Sequence, residues 1–180
     1  HNNLLPVDQL FGGGQGVYGL REYAGVTVNY PASYRREVST AAALTEALND
    51  GLSVVLDADI DLGSTQLAIT GENQVVDLNG KALTTANNWG GISLKNGATI
   101  KNGTITHTGN TAAIKAFNGT SVENVTINAP YVGNNVSAVV GFAYACKGSI
   151  EDVKVVGVNI NAPEATGVGA IVGYDYYSPA

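Results

Sequence analysis

The chain is 180 residues long, enough to bury a core in one domain or in one domain with an appendage. With 44% hydrophobic and 13% charged residues, disorder of the whole chain is excluded, and a net charge of −6 argues against a nucleic-acid partner, which needs a basic face to meet phosphates. No apolar run is long enough for a membrane-spanning helix, and the single cysteine, Cys146, rules out an intrachain disulfide or a cysteine-based zinc site.

Residues 1–38 read as a glycine-rich arm: LFGGGQGVYG, then a short strand GVTVNY, then PASYRREV. Gly14, Gly16 and Gly19 match the spacing G-x-G-x-x-G, but the next residues, LREYAGVTV, turn to strand-like sequence instead of the helix a dinucleotide site needs. The arm suits contact with a partner, with Phe11, Tyr18, Val26 and Val28 as its apolar residues. STAAALTEALNDG predicts one helix over about residues 39–50. Ser39 or Thr40 is its N-cap, Leu44, Ala47 and Leu48 form its apolar stripe, and Asn49-Asp50-Gly51 stops it.

From Leu52 the period changes to two. LSVVLDADIDL alternates Leu56, Ala58, Ile60 and Leu62 with Asp57, Asp59 and Asp61, and short strands separated by Asn/Gly turns continue to GAIVGYDYY. Within this run NGATIKNGTI (96–105) and NGTSVENVTI (118–127) are copies 22 positions apart, and GSIEDVKV (148–155) is a looser third. A unit of two or three short strands cannot bury its apolar side alone, whereas stacked coils with parallel strands can. Stacking predicts an inward column of Ile100, Val122 and Ile150, and side-chain amide ladders at Asn96/Asn118 and Asn102/Asn124. The fold class is therefore all-β, a parallel solenoid over residues 39–180 with a capping helix and an extended arm.

STAAALTEAL, VVLDADIDL, VVDLNGKALT and the I-x-N-x-T-I turns together resemble the right-handed parallel β-helix of the pectate-lyase-like superfamily. SAVVGFAYACKGSIEDVKVVGVNI followed by GAIVGY is similar to the glycine-rich repeats of bacterial surface and adhesin-like proteins. The resemblance covers about residues 39–177. It implies a right-handed coil whose open end is capped by the helix. It leaves function open, because such folds serve lyases, hydrolases, adhesins and viral fibres.

A lyase of this superfamily is expected to set a Ca²⁺ site of carboxylates beside a basic residue. The weak calcium candidates are Asp57, Asp59 and Asp61. No Arg follows Arg36, which leaves Lys81, Lys95, Lys101 and Lys115, and no Asp or Glu stands between Asp77 and Glu123. Glu123 and Glu151 sit at matching repeat positions and predict an outer column, not a glycosidase pair. Cofactors are expected to be none, with structural Ca²⁺ as the exception. Trp89, Tyr131, Tyr174 and Tyr176 are the candidate sugar contacts. Of the four sequons, at Asn102, Asn118, Asn124 and Asn135, the first three fall on the repeat's own turns and follow from turn chemistry, and TITHT (104–108) hints at a threonine array.

The chain stops at GAIVGYDYYSPA without a second capping helix, which predicts self-association through the arm and the C-terminal coil. The absence of Met points to a processed, exported chain, extracellular or on a cell or virion surface. The expectation is a non-enzymatic structural or adhesive module forming an oligomer or fibre, with polysaccharide as a possible ligand. The alternatives are a viral fibre or capsid-decoration protein anchored by residues 1–38, and a polysaccharide lyase or hydrolase.

Overall fold

A computed structural model describes residues 33–88, 90–109, 111–117, 119–129, 149–157, 160 and 168–172. In chain order they form β1 (Arg36–Val38), α1 (Ala41–Asn49), β2 (Val54–Leu56), β3 (Ile60–Asp61), β4 (Leu67–Ile69), β5 (Val75–Asp77), β6 (Ala82–Thr85), β7 (Ile92–Leu94), β8 (Thr99–His107), β9 (Ile114–Ala116), β10 (Ser121–Asn128), β11 (Ser149–Glu151) and β12 (Lys154–Val156). The strand pairings are parallel and join sequence-distant strands, β1-β2-β5-β8-β10-β11 in the larger sheet and β4-β7-β9 in the smaller. The result is a parallel β-solenoid of about four turns.

The register stacks like on like. Val54, Val76, Ile100, Val122 and Ile150 lie one above another, as do Ile60, Leu83, Ile105, Ile127 and Val155. The smaller sheet adds Leu67, Ile92 and Ile114, and beside them Ile69, Leu94 and Ala116. These columns face each other across one continuous core. Burying each large aliphatic side chain is worth about 1.5–3 kcal/mol, a gain that a single coil with both edges in water cannot collect. The predicted column of Ile100, Val122 and Ile150 is therefore present and extends downward through Val76 and Val54.

The coil length is not constant, and the register shows where it varies. Asp77 pairs with Lys101 and Ala82 with Thr104, so residues 78–81 of one coil face only residues 102–103 of the next. A Cβ at Gly103 would collide with the Leu78 side chain and the Lys81 carbonyl, so the bulge below requires glycine above.

Helix α1 has the termini its sequence specifies. The Thr40 hydroxyl accepts a hydrogen bond from the Ala43 N–H at 3.2 Å. At the other end Gly51 takes φ 79°, its N–H reaches the Leu48 carbonyl, and the Leu52 N–H reaches that of Ala47. This is a Schellman closure, and it needs a residue tolerant of positive φ at Gly51. Leu44, Ala47 and Leu48 are buried in the core.

The sequence reading differs from the structure in two places. Arg36–Val38, placed in the arm, forms β1 and pairs with Val54–Leu56, so α1 is inserted between the first two rungs. LSVVLDADIDL is not one strand: it breaks at 57–59 into β2 and β3, because the chain must turn a corner to continue the coil. The predicted strands at GVTVNY, SAVVGFAYA and GAIVGYDYY lie wholly or mostly outside the described residues.

Candidate functional site

The solenoid's corners hold its most ordered polar chemistry. Asn102, Asn124 and Asp152 occupy one column, and all three adopt left-handed φ, 61°, 49° and 50°. Asn and Asp tolerate this region because a short polar side chain can bond locally. The Asn124 amide donates to Asn102 Oδ1 at 3.1 Å, and the Asn102 amide donates to both Asp77 carboxylate oxygens at 3.1 and 3.2 Å. The predicted Asn102/Asn124 ladder is thus in place and rests on an aspartate. At the other corner Asn96 (φ 54°) donates instead to the Thr70 carbonyl one coil below, at 2.7 Å. Its proposed partner, Asn118, lies outside the described residues.

Other corner side chains also tie coil to coil. The Asn79 amide donates to the Leu56 carbonyl at 3.2 Å, that of Asn87 to Ser64 at 2.6 Å, and that of Gln66 to Gly90 at 2.9 Å. Asp59 accepts from the Ala82 N–H of the next coil at 2.8 Å, whereas Asp61 accepts locally from the Gly63 N–H at 2.8 Å. Asp57, Asp59 and Asp61 are exposed but straddle the corner instead of lining one strand. Among the described residues no three acidic, His or Cys side chains gather as a metal site. Two of the aspartates, Asp59 and Asp61, are acceptors for backbone N–H groups.

On the outer face of the larger sheet Asp77, Lys101, Glu123 and Glu151 fall in register, with Lys101 Nζ 3.9 Å from Asp77 Oδ2. The expected Glu123/Glu151 alignment is part of this column. Thr104 and Thr106 also point outward, but their register partners are Ala82 and Thr84 below and Thr126 and Asn128 above, so the T-x-T pattern does not repeat from coil to coil. On the smaller sheet Lys115 pairs in register with Ser93 and lays its stem over Gly90, and burial lowers its pKa below the usual lysine value. The Lys95 ammonium sits 5.0 Å from the Phe117 ring centroid, a cation–π distance. Two shallow grooves accompany these faces. One, of about 530 Å³, lies between α1 and the first corner (Thr45, Glu46, Asn49, Leu62 and Thr65), and one of about 470 Å³ lies at Glu72, Asn73, Asn96 and Gly97.

Among the described buried polar residues, Gln74 and His107 are the largest that escaped the sequence reading. Gln74 is 2% exposed; its amide N–H groups reach the Leu48 and Leu52 carbonyls at 2.8 and 3.1 Å, and its Oε1 accepts from the Gly71 N–H at 2.6 Å. It ties the end of α1 to the second coil. His107 is 1% exposed on the inward side of β8, beyond Ile105. Period-two alternation from Ile105 was the available signal for His107. Gln74 had none, because its partners are backbone atoms 22 and 26 positions away.

Trp89, Tyr131, Tyr174 and Tyr176, the arm residues Phe11, Tyr18, Val26 and Val28, and Cys146 lie outside the described residues. Among those described, no helix is long and apolar enough to cross a membrane. Comparison of the chain with family models, with curated proteins and with solved structures finds no match. The architecture and its corner chemistry therefore carry the functional reading.

Proposed function

We propose that this chain is a non-enzymatic structural or adhesive β-solenoid module, exported to a cell or virion surface, that assembles with copies of itself and meets surface polysaccharide. The observation that carries the reading is the use made of the corner polar groups. Asp59, Asp77, Asn79, Asn87, Asn96, Asn102 and Asn124 each spend a side-chain bond on holding one coil to the next. An enzyme of this architecture needs several such groups converging on a substrate; here they converge on the neighbouring coil. Self-association is proposed to run through residues 1–38 and the C-terminal coil.

Light scattering coupled to size exclusion tests the assembly, with the chain lacking residues 1–32 as the comparison. A concentration-dependent oligomer that reverts to monomer on truncation is the expected result, and a strict monomer at high concentration in the intact chain refutes it. Incubation with acidic and neutral polysaccharides separates the enzymatic alternative: steady release of products would replace the structural reading with a lyase or hydrolase.

A further inference from the structure

His107 sits where strands of the larger sheet hand over to the smaller one, at a corner whose described residues are 86–88, 90–91, 108–109 and 111–113. Its ring is in register with Thr85 of β6, one coil below. Nε2 lies 3.0 Å from the Thr111 carbonyl oxygen. A carbonyl can only accept, so Nε2 carries the proton and Nδ1 presents a bare lone pair. That Nδ1 has no hydrogen-bond partner, and neither do the buried hydroxyls of Thr85 and Thr111.

His107 is 1% exposed, and its described neighbours stand close. A Cβ at Gly91 would lie 2.5 Å from Thr85 Cγ2, 2.9 Å from the Ala113 carbonyl oxygen and 3.0 Å from His107 Nδ1. One at Gly109 would lie 2.8 Å from His107 Cε1 and against the Asn87 carbonyl. Among the described residues the ring therefore meets Thr85 from β6, Gly91 just before β7, and Gly109 and Thr111 just before β9; none of these is charged. The lysine beside this corner is Lys115, whose stem lies against Gly90.

We propose that His107 is an acid-sensitive latch: neutral, it holds the β8–β9 corner shut through Thr111, and protonated, it opens that corner to water. A second proton on the ring needs a free acceptor and solvation, but the residue is 1% exposed, and the Thr85 carbonyl near the ring already accepts the Thr108 N–H at 2.9 Å. In agreement, burial lowers the pKa of His107, with the Thr111 and Thr85 carbonyls offsetting part of the effect.

A lowered pKa fixes the sign of the linkage. The unfolded chain takes up the proton near the ordinary His value of about 6.5, and the folded chain only below it. Stability from this group is complete above that value and falls as pH drops from there towards the folded pKa. Across that window the folded-to-unfolded ratio falls by up to about tenfold per pH unit. The latch does not depend on the structural or adhesive reading, since it rests on a corner of the fold alone.

The test compares the intact chain with His107→Gln, which keeps a donor for Thr111 but does not titrate. Urea unfolding between pH 7.5 and 5 is expected to show the wild-type midpoint falling relative to the variant. Parallel profiles would overturn the proposal. Should the variant fail to fold, NMR of the wild-type ring decides: an Nε2–H tautomer at neutral pH and a titration below the ordinary His value support the latch. A ring that titrates at or above that value refutes it. Lowering the pH from 7.5 to 5.5 is expected to reduce hydrogen-exchange protection more at residues 108–109 and 111–113 than in the other coils, and a uniform reduction across all coils refutes the local opening.

Discussion

Gln74→Leu isolates the brace between helix and solenoid. The substitution keeps the side chain's approximate volume and removes three hydrogen bonds, two to the Leu48 and Leu52 carbonyls and one from the Gly71 N–H. The Leu48 carbonyl keeps its bond from Gly51, so the groups left bare are the Gly71 N–H and the Leu52 carbonyl. With each lost bond worth about 1 kcal/mol net, the expected cost is about 3 kcal/mol. For a chain of this size that lowers the melting temperature by about 6–12 °C, read by far-UV circular dichroism or calorimetry. Gln74→Glu is the informative companion: it still accepts from Gly71 but at neutral pH has no N–H for the two carbonyls and buries a charge. It is expected to be worse than Leu at pH 7 and to recover in acid, when the carboxyl regains a donor. A melting temperature for Gln74→Leu within about 2 °C of wild type would show that the brace adds nothing to stability and that α1 is held by Leu44 and Leu48 alone.

Four further outcomes are expected. Ile100→Ala, at a fully buried position in the longest column, costs about 4 kcal/mol by urea titration, with little room for collapse between Val76 and Val122. Asn124→Ala loses both the bond to Asn102 and the tolerance of positive φ, about 2 kcal/mol together, whereas Asn124→Gly loses only the bond, about 1 kcal/mol; equal losses would remove the left-handed backbone from the account. Gly51→Ala costs about 1 kcal/mol by calorimetry through the Schellman closure, with no change at the far end of the solenoid in hydrogen exchange. Asp152→Asn provides the donor that the ladder lacks above Asn124 and raises stability by about 0.5–1 kcal/mol; a loss would show that Asp152 is not in the ladder's plane.

The solenoid was legible because its repeat is made of residues whose roles are local. An inward Ile or Val at every coil, a turn Asn that accepts left-handed φ and often a Gly beside it recur together, and the register confirms Ile100 over Val122 and Asn102 over Asn124. The helix was legible for the same reason, since Thr40 and Gly51 mark its ends within a few residues. The features that escaped depend on contacts across coils. Gln74 looks like any strand-edge glutamine until the carbonyls of Leu48 and Leu52 are brought to it. β1 is three residues long and is separated from its partner by the whole of α1, so neither periodicity nor repeat marks Arg36–Val38 as a rung. The three aspartates looked like one face because alternation was extended through 57–59, where the coil turns.

The same register shows where the stack is weakest. Lys101 stands between Asp77 and Glu123, so each of its neighbours in the outer column is of opposite sign. One rung further on, Glu123 meets Glu151, and directly opposed like charges in a sheet are unfavourable. On that same rung Asp152 comes above Asn124, where an ionised carboxylate cannot supply the N–H that Asn124 supplies to Asn102. Ile150, Val153 and Val155 are only partly buried there, while the equivalent Val122, Val125 and Ile127 are fully so. Charge, ladder and core therefore all lose strength at the junction of β10 with β11 and β12. Among the described rungs, opening of the solenoid should begin at this one, and it is here that a further coil or a second copy of the chain would contribute most by supplying a donor to Asp152 and cover for Ile150 and Val155.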